Sequence, residues 1–298
     1  MLNLEYDKDQ WEWFEPNSVN TIQFFITNRC NKRCIGCFYG NQLDSHTDMT
    51  LQEYKVKLSP YLDIIKKVVL IGGEPTISPY IRDMIQYNQA HSLSTTVYTN
   101  GYDLSKLKDI DLSGVTVRIG VLGLYESEKP LAEITPPSIP VFIVYMLRKN
   151  NVDNLMETVL YAEKHYLCSD FMLSSIRDIE VTKSFWKDTD ETFSNEEYVE
   201  IVQDFIKKYD GKMNIHISRR GLINGDKHVK KCRFLNVFPQ TDNAIICPLD
   251  ISLEIYCDIH QYKFGDRICN KNTECCLQKV VLKNKSIEKI KKCVFGFV

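Results

Sequence analysis

Long apolar runs are missing from this sequence. The longest uninterrupted one, Val141 to Leu147, has seven residues, against the ~20 that a membrane-spanning helix requires. No membrane partner is therefore expected. The N-terminus, Met1-Leu2-Asn3-Leu4-Glu5-Tyr6-Asp7, lacks the basic-then-apolar order of a secretion signal, so the expected location is cytoplasmic. An excess of one charge is missing too. The formal net charge is −2, which excludes a general nucleic-acid binder held by phosphate contacts, and DNA is not an expected partner. Histidine is scarce: the six residues stand singly at 46, 91, 165, 216, 228 and 260. None pairs at metal-ligand spacing, which leaves out histidine-based zinc sites. No internal repeat or low-complexity tract is present.

What the chain does have is cysteine, 11 residues in 298. Three lie at Cys30, Cys34 and Cys37, one is Cys168, and seven fall between Cys232 and Cys293. Without a secretion signal a disulfide framework is disfavoured and metal ligation favoured. The clustering strengthens that reading, since structural thiols are usually scattered singly through a core.

From residue 21 to about 175, apolar β-rich runs alternate with helical patterns. The expected strands are Ile22–Thr27, Lys67–Ile71, Ser94–Thr99, Val115–Val121, Val141–Leu147 and Asp170–Ser174. The expected helices are Leu51–Ile65, Tyr80–His91, a short Leu104–Lys108, Val152–Tyr166 and Asn195–Tyr209, the last opened by a Ser194-x-x-Glu197 capping box. Repeated strand–helix units imply parallel strands with right-handed crossovers. The near-continuous apolar strands fit burial under helices. The predicted fold class is α/β: a partial, open (β/α)6 barrel with a small cysteine-rich C-terminal module. The expected divisions are an N-terminal extension over 1–20, a flap or a cover for the first strand, a barrel over 21–210 and the module over 211–298. Chemistry in such sheets gathers at the C-terminal ends of the strands.

Each motif falls at one of those ends. Cys30-x3-Cys34-x2-Cys37 follows the first strand. Three thiolates so spaced could wrap three corners of an iron–sulfur cluster and leave one iron open, or form part of a zinc site. Gly72-Gly73-Glu74-Pro75 follows the second strand, where two glycines permit close backbone approach and Glu74 presents an acceptor. Thr99-Asn100-Gly101 ends the third with a hydroxyl and an amide.

In this order and spacing, over roughly residues 20–175, these motifs resemble the radical S-adenosylmethionine (radical SAM) superfamily. The resemblance implies that Cys30, Cys34 and Cys37 hold a [4Fe-4S] cluster whose open iron takes the amino and carboxylate groups of S-adenosylmethionine. It implies that the turn at Gly72, Gly73, Glu74 and Pro75 binds the methionyl amino group, with Asn100 in the same mouth, and that Phe38 lies near the adenine. An electron from the reduced cluster, delivered by a flavodoxin or ferredoxin, would cleave the cofactor to a 5′-deoxyadenosyl radical that takes a hydrogen atom from substrate. Gly120 stands on strand four where the family often has a serine touching the cofactor. Arg118, Arg148 and Arg177 are the candidates for the carboxylate contact instead.

The C-terminal cysteines are similar to the auxiliary-cluster modules called SPASM and twitch. The full SPASM spacing is not reproduced, so a twitch-like module with one further [4Fe-4S] cluster fits best. The expected ligands are Cys232, Cys247, Cys269 and Cys276, with Cys275 and Cys257 as substitutes and structural zinc as the alternative occupant. Unligated Cys257 or Cys275 could also serve as a redox group or hydrogen donor.

The expected function is a radical SAM enzyme whose auxiliary cluster assists oxidation or bond formation. The substrate would be a ribosomal peptide or a natural-product or cofactor precursor. A leader-binding winged helix takes ~80 residues, which the first twenty are not expected to supply. The alternatives are a small-molecule dehydrogenase or epimerase of the same superfamily and, from another class, a non-enzymatic iron–sulfur or zinc redox sensor or scaffold.

Overall fold

The computed structural model describes residues 11–13, 21–34, 37, 39, 43, 45–63, 65–125, 128–175, 193, 195–218, 234–237, 239, 245–247, 250–254 and 279–282. Its strands are β1 (Trp11–Trp13), β2 (Thr21–Thr27), β3 (Lys67–Gly72), β4 (Ser94–Thr99), β5 (Val115–Val121), β6 (Val141–Leu147), β7 (Cys168–Ser175), β8 (Asn214–Ser218), β9 (Phe234–Val237), β10 (Ile245–Cys247), β11 (Asp250–Glu254) and β12 (Lys279–Leu282). The α-helices are α1 (Leu51–Leu58), α2 (Ile81–Ala90), α3 (Leu155–His165) and α4 (Asn195–Lys208).

One sheet holds all the strands, in the order β1-β12-β8-β7-β6-β5-β4-β3-β2-β9-β10-β11. From β2 to β8 every neighbouring pair is parallel, so seven consecutive strands form the open, partial barrel. The six expected strands are all present. The seventh, β8, has the sequence Asn-Ile-His-Ile-Ser, whose polar alternate positions hide it from an apolar-run criterion. On the far side of β2, β9 continues in parallel. Of the N-terminal extension, the segment Trp11–Trp13 adds a strand to the opposite end of the sheet order from β9. It pairs with β12, which in turn pairs with β8 at the other edge of the barrel.

Alternation along the strands assigns the two faces. Ile22, Phe24 and Ile26 of β2, Val68 and Leu70 of β3, and Val117, Ile119 and Val121 of β5 share one core with Tyr54 and Leu58 of α1, Met84 of α2, Val159 of α3 and Val202 of α4. That is the outer, helix-covered face. The opposite face carries Gln23, Phe25, Val69, Thr96, Tyr98, Arg118, Phe142, Val144, Met172 and Ser174, and it forms the barrel interior.

Local chemistry sets the helix bounds. Thr50 and Glu53 form a reciprocal capping box that opens α1. Pro60 converts the next turn to 3₁₀ geometry over Ser59–Tyr61, so the expected helix to Ile65 is cut short. Leu104–Lys108 is likewise only a 3₁₀ turn, Ser105–Leu107.

Candidate active site

The cysteine loop leaves β2 through Asn28 and Arg29, and it is pinned from two sides. On one side, the Asn28 N–H donates to the Thr47 carbonyl at 2.7 Å and the Met49 N–H donates to the Ile26 carbonyl at 2.9 Å. The Arg29 guanidinium pairs with Asp48 at 2.6 Å, and its Nε reaches the same carboxylate at 3.2 Å. On the other side lies the glycine turn after β3. The Gly73 N–H donates to the Thr27 carbonyl and the Glu74 N–H to the Arg29 carbonyl, both at 2.7 Å. Side chains have no room there. A Cβ on Gly72 would stand closer than 3.0 Å to the Thr27 carbonyl oxygen, and one on Gly73 closer than 3.0 Å to the Arg29 carbonyl. Gly72 also has φ of +135°, a conformation that suits glycine. The two glycines thus exist because one loop lies backbone-to-backbone on the other.

Glu74 locks in the third motif. Its buried carboxylate accepts from the Thr76 N–H at 3.1 Å, the Thr76 hydroxyl at 2.7 Å and the Thr99 hydroxyl at 2.7 Å, and from the Asn100 N–H at 2.6 Å. Pro75 opens the short 3₁₀ turn Pro75–Ile77 that Glu74 caps. Asn100 then donates its side-chain amide to Asn31 Oδ1, inside the cysteine loop, at 2.6 Å. Beside it, the Lys32 ammonium sits 3.7 Å from the centre of the Tyr102 ring. The three motifs read from the sequence therefore converge on one mouth. Asn28, Asn31, Tyr39 and Tyr102, which build its walls, carry no motif of their own and were missed. Tyr39 donates a short hydrogen bond to Asn28 and stacks on Phe25.

The three thiols are free and half-buried. Burial raises the pKa of Cys30 and Cys34 above the ordinary thiol value, opposed at Cys30 by a hydrogen bond from the Lys32 N–H and at both by the positive charge of Lys129. Cys37 acts electrostatically on both other thiols. Among the described residues no three His, Cys, Asp or Glu side chains converge as a single ion demands. A cluster instead takes each thiolate at a separate iron. Three mutually coupled free thiols in one loop fit that group.

Lys129 is a further residue the sequence did not flag. Its chain returns along β5's exit, with the Leu122 N–H donating to its carbonyl at 3.1 Å. Its ammonium stands 3.9 Å from where a Cβ of Gly120 would be, in the space left by the missing serine side chain. Arg118 lies on the same strand, deeper inside and 2% exposed. Arg148 is buried just after β6, where its N–H donates to Asn151 Oδ1 at 2.7 Å. Phe38, Arg177, Cys232, Cys257, Cys269, Cys275 and Cys276 lie outside the described residues, and of Cys247 only the backbone, ending β10, is described.

An open parallel barrel with a cysteine triplet zipped to a glycine turn at its mouth defines a class of cluster-dependent enzymes. The radical SAM superfamily profile matches residues 24–175, and the chain belongs to that superfamily. Over 110 residues it is 33% identical to a protein of Pyrococcus horikoshii named probable GTP 3′,8-cyclase, covering 35% of each chain. Over 98 residues it is 31% identical to an S-adenosylmethionine-dependent nucleotide dehydratase of Flammeovirga pacifica, covering 30% of this chain and 33% of the relative. The chain thus spans about a third of the length of these curated relatives. In fold it is similar to Streptococcus suis SuiB bound to its precursor peptide SuiA, with a TM-score of 0.61 at 14% identity, covering 78% of this chain and 60% of SuiB. Among the described residues no helix is long and apolar enough to cross a membrane.

Proposed function

We propose that this chain binds a [4Fe-4S] cluster through Cys30, Cys34 and Cys37 and uses S-adenosylmethionine to oxidise, or form a bond at, an unactivated carbon of its substrate. The observation that carries the reading is the pair of hydrogen bonds from Gly73 and Glu74 to Thr27 and Arg29. They set a backbone-lined turn directly against the cysteine loop, where an amino acid chelated at the open iron would lie. When bound, the cluster and S-adenosylmethionine supply the hydrogen-abstracting radical. The chain's own residues orient and shield. Glu74 fixes the turn, Asn100 and Asn31 tie the third strand end to the cysteine loop, and Phe25, Ile71 and Tyr39 pack against Cys30 and Cys37 and exclude water.

The substrate is a ribosomal peptide or a natural-product or cofactor precursor, and the reductant is a flavodoxin or ferredoxin. The barrel begins at 21 and runs through β8 (Asn214–Ser218), which carries it past the expected boundary at 210 into the range first given to the module. The module that follows holds an auxiliary [4Fe-4S] cluster on Cys232, Cys247, Cys269 and Cys276, with Cys275 or Cys257 as a substitute ligand. The test is anaerobic reconstitution with iron and sulfide, then dithionite and S-adenosylmethionine. 5′-Deoxyadenosine should form, and should be lost in Cys34→Ala. Equal yields in both proteins, or none in either, would remove the proposal. Iron near about eight per chain supports the auxiliary cluster, and near about four removes it.

A further inference from the structure

Arg118 is a buried cation without a counter-charge among the described residues. Its side chain is 2% exposed. Nη1 donates to the Tyr98 hydroxyl at 2.9 Å, the guanidinium lies 4.3 Å from the Phe142 ring centre, and Nε has no hydrogen-bond partner. No carboxylate pairs with it among the described residues. Leaving a charge buried and unpaired costs several kcal/mol, so an arginine kept there for stability alone is a poor solution. The same face carries other buried polar atoms. Gln23 Oε1, Thr96 Oγ1 and Ser174 Oγ are buried without partners, and alternation puts all of them on the barrel's inner face. Phe142 stands between Arg118 and His216, with its ring centre 5.2 Å from the imidazole.

Of the candidates for the cofactor's carboxylate, Arg118 and Lys129 both belong to β5 and the loop that leaves it, and their positions separate them. A carboxylate chelated with the amino group at the open iron must lie beside the cysteines. Lys129 comes from the loop that leaves the C-terminal end of β5, the same strand ends that carry the cysteine loop, with the Leu122 N–H donating to its carbonyl at 3.1 Å, whereas Arg118 is held inside the barrel against Tyr98 and Phe142. Lys129 also fills the space beside Gly120. Arg118 is two residues further down β5, about 7 Å deeper by strand rise.

We propose that Arg118 binds an anionic group of the substrate, a carboxylate or a phosphate, inside the barrel, and that Lys129 rather than Arg118 meets the carboxylate of S-adenosylmethionine. This rests on the function proposed above and names the chemistry of its substrate. By strand register Thr96 lies two residues below Arg118 on the adjacent strand, and its unpartnered oxygen would hydrogen-bond the polar remainder of the same molecule.

Three measurements on the full-length reconstituted protein test it. First, Arg118→Met should leave Tm unchanged or raised, because it removes a buried unpaired charge. A fall of more than about 4 °C would mark a structural arginine and overturn the proposal. Second, with S-adenosylmethionine present, inorganic phosphate or acetate should raise Tm by about 2 °C or more over chloride at equal ionic strength. That rise should be lost in Arg118→Met and in Arg118→Gln. Phosphate alone acting identifies a phosphorylated substrate and acetate alone a carboxylate. No rise with either, or a rise that survives both substitutions, overturns the proposal. Third, the S-adenosylmethionine concentration that half-shifts the electron paramagnetic resonance signal of the reduced cluster should rise about tenfold in Lys129→Met and less than about twofold in Arg118→Met. A tenfold rise in Arg118→Met overturns it by placing Arg118 on the cofactor. The anion measurement stands even if no 5′-deoxyadenosine is ever formed, so failure here and failure of the proposed function are distinguishable.

Discussion

Replacing Gly73 by alanine tests whether the two loops are held backbone on backbone. The added methyl would stand closer than 3.0 Å to the carbonyl of Arg29, a backbone group that cannot swing aside as a side-chain tip can. Either the turn lifts or the cysteine loop does. Both movements break the bonds from Gly73 N to Thr27 O and from Glu74 N to Arg29 O, each 2.7 Å. Two net backbone hydrogen bonds at about 1 kcal/mol each, with about 1–3 kcal/mol of overpacking strain, give about 3–5 kcal/mol. That is a large share of an ordinary domain's stability. Urea unfolding of the apo protein under reducing conditions reads the loss, and iron per chain after reconstitution reads its effect on the cysteine loop. Gly114→Ala is the control. It has φ of +72° and nothing within 4 Å, so only the backbone term, about 1–2 kcal/mol, applies. If Gly73→Ala unfolds within about 0.5 kcal/mol of wild type and takes up the same iron, the contact argument is wrong.

Glu74→Gln should destabilise by about 1–3 kcal/mol and weaken cluster retention. The reason is geometric: Oε1 accepts the Thr76 N–H and Oε2 the Asn100 N–H, so the amide leaves one backbone donor facing an NH₂ in either orientation. A variant as stable as wild type in urea would contradict this. Asp170 gives a pH signature. Burial works against its ionisation, but bonds from His216, Ser169 and Asn214 outweigh it and hold its carboxyl below the ordinary carboxylate value. A depressed folded pKa adds stability that is present above the unfolded value of about 3.9 and is lost as pH falls through the folded one. Asp170→Asn should therefore be less stable than wild type near neutrality, with the gap closing below about pH 4. A gap that stays constant from pH 7 to pH 3 in thermal melts would rule the carboxylate out as its source.

Five of the six expected barrel strands were legible because both of their faces, or one face without interruption, are apolar, as in Val68-Val69-Leu70-Ile71, and Ser94–Thr99 was legible from its β-branched residues. β8 was not, because Asn214 and His216 interrupt a run that is only five residues long. The site divides in the same way. The cysteine triplet, the glycine turn and Thr99-Asn100-Gly101 each sit at a strand end, so parallel topology alone brings them together. What joins them was hidden. The partners of Glu74 include Thr99 and Asn100, 25 and 26 residues away, and the Asn100 to Asn31 bond spans 69. Lys129 reaches Gly120 only because the loop after β5 folds back on itself, a path no local pattern encodes.

The interior of the barrel did leave a trace in the sequence, as a violation. Strands of a parallel sheet are usually apolar on both faces. β5 instead reads Val-Thr-Val-Arg-Ile-Gly-Val, with every outward position β-branched and every inward one polar or absent. β2 places Gln23 between Ile22 and Phe24, and β7 places Ser174 after Leu173, all of them buried. A fold that needed only stability would fill these positions with valine and isoleucine. Local conflicts that persist in an otherwise consistent sequence tend to mark function. Here the conflicting positions share one face of the sheet, the inner one. The two kinds of signal are complementary. On the functions proposed above, motifs at the strand ends would locate the cofactor, whereas polar residues on the inner face, read as departures from the sheet's own rule, would locate what the cofactor acts on.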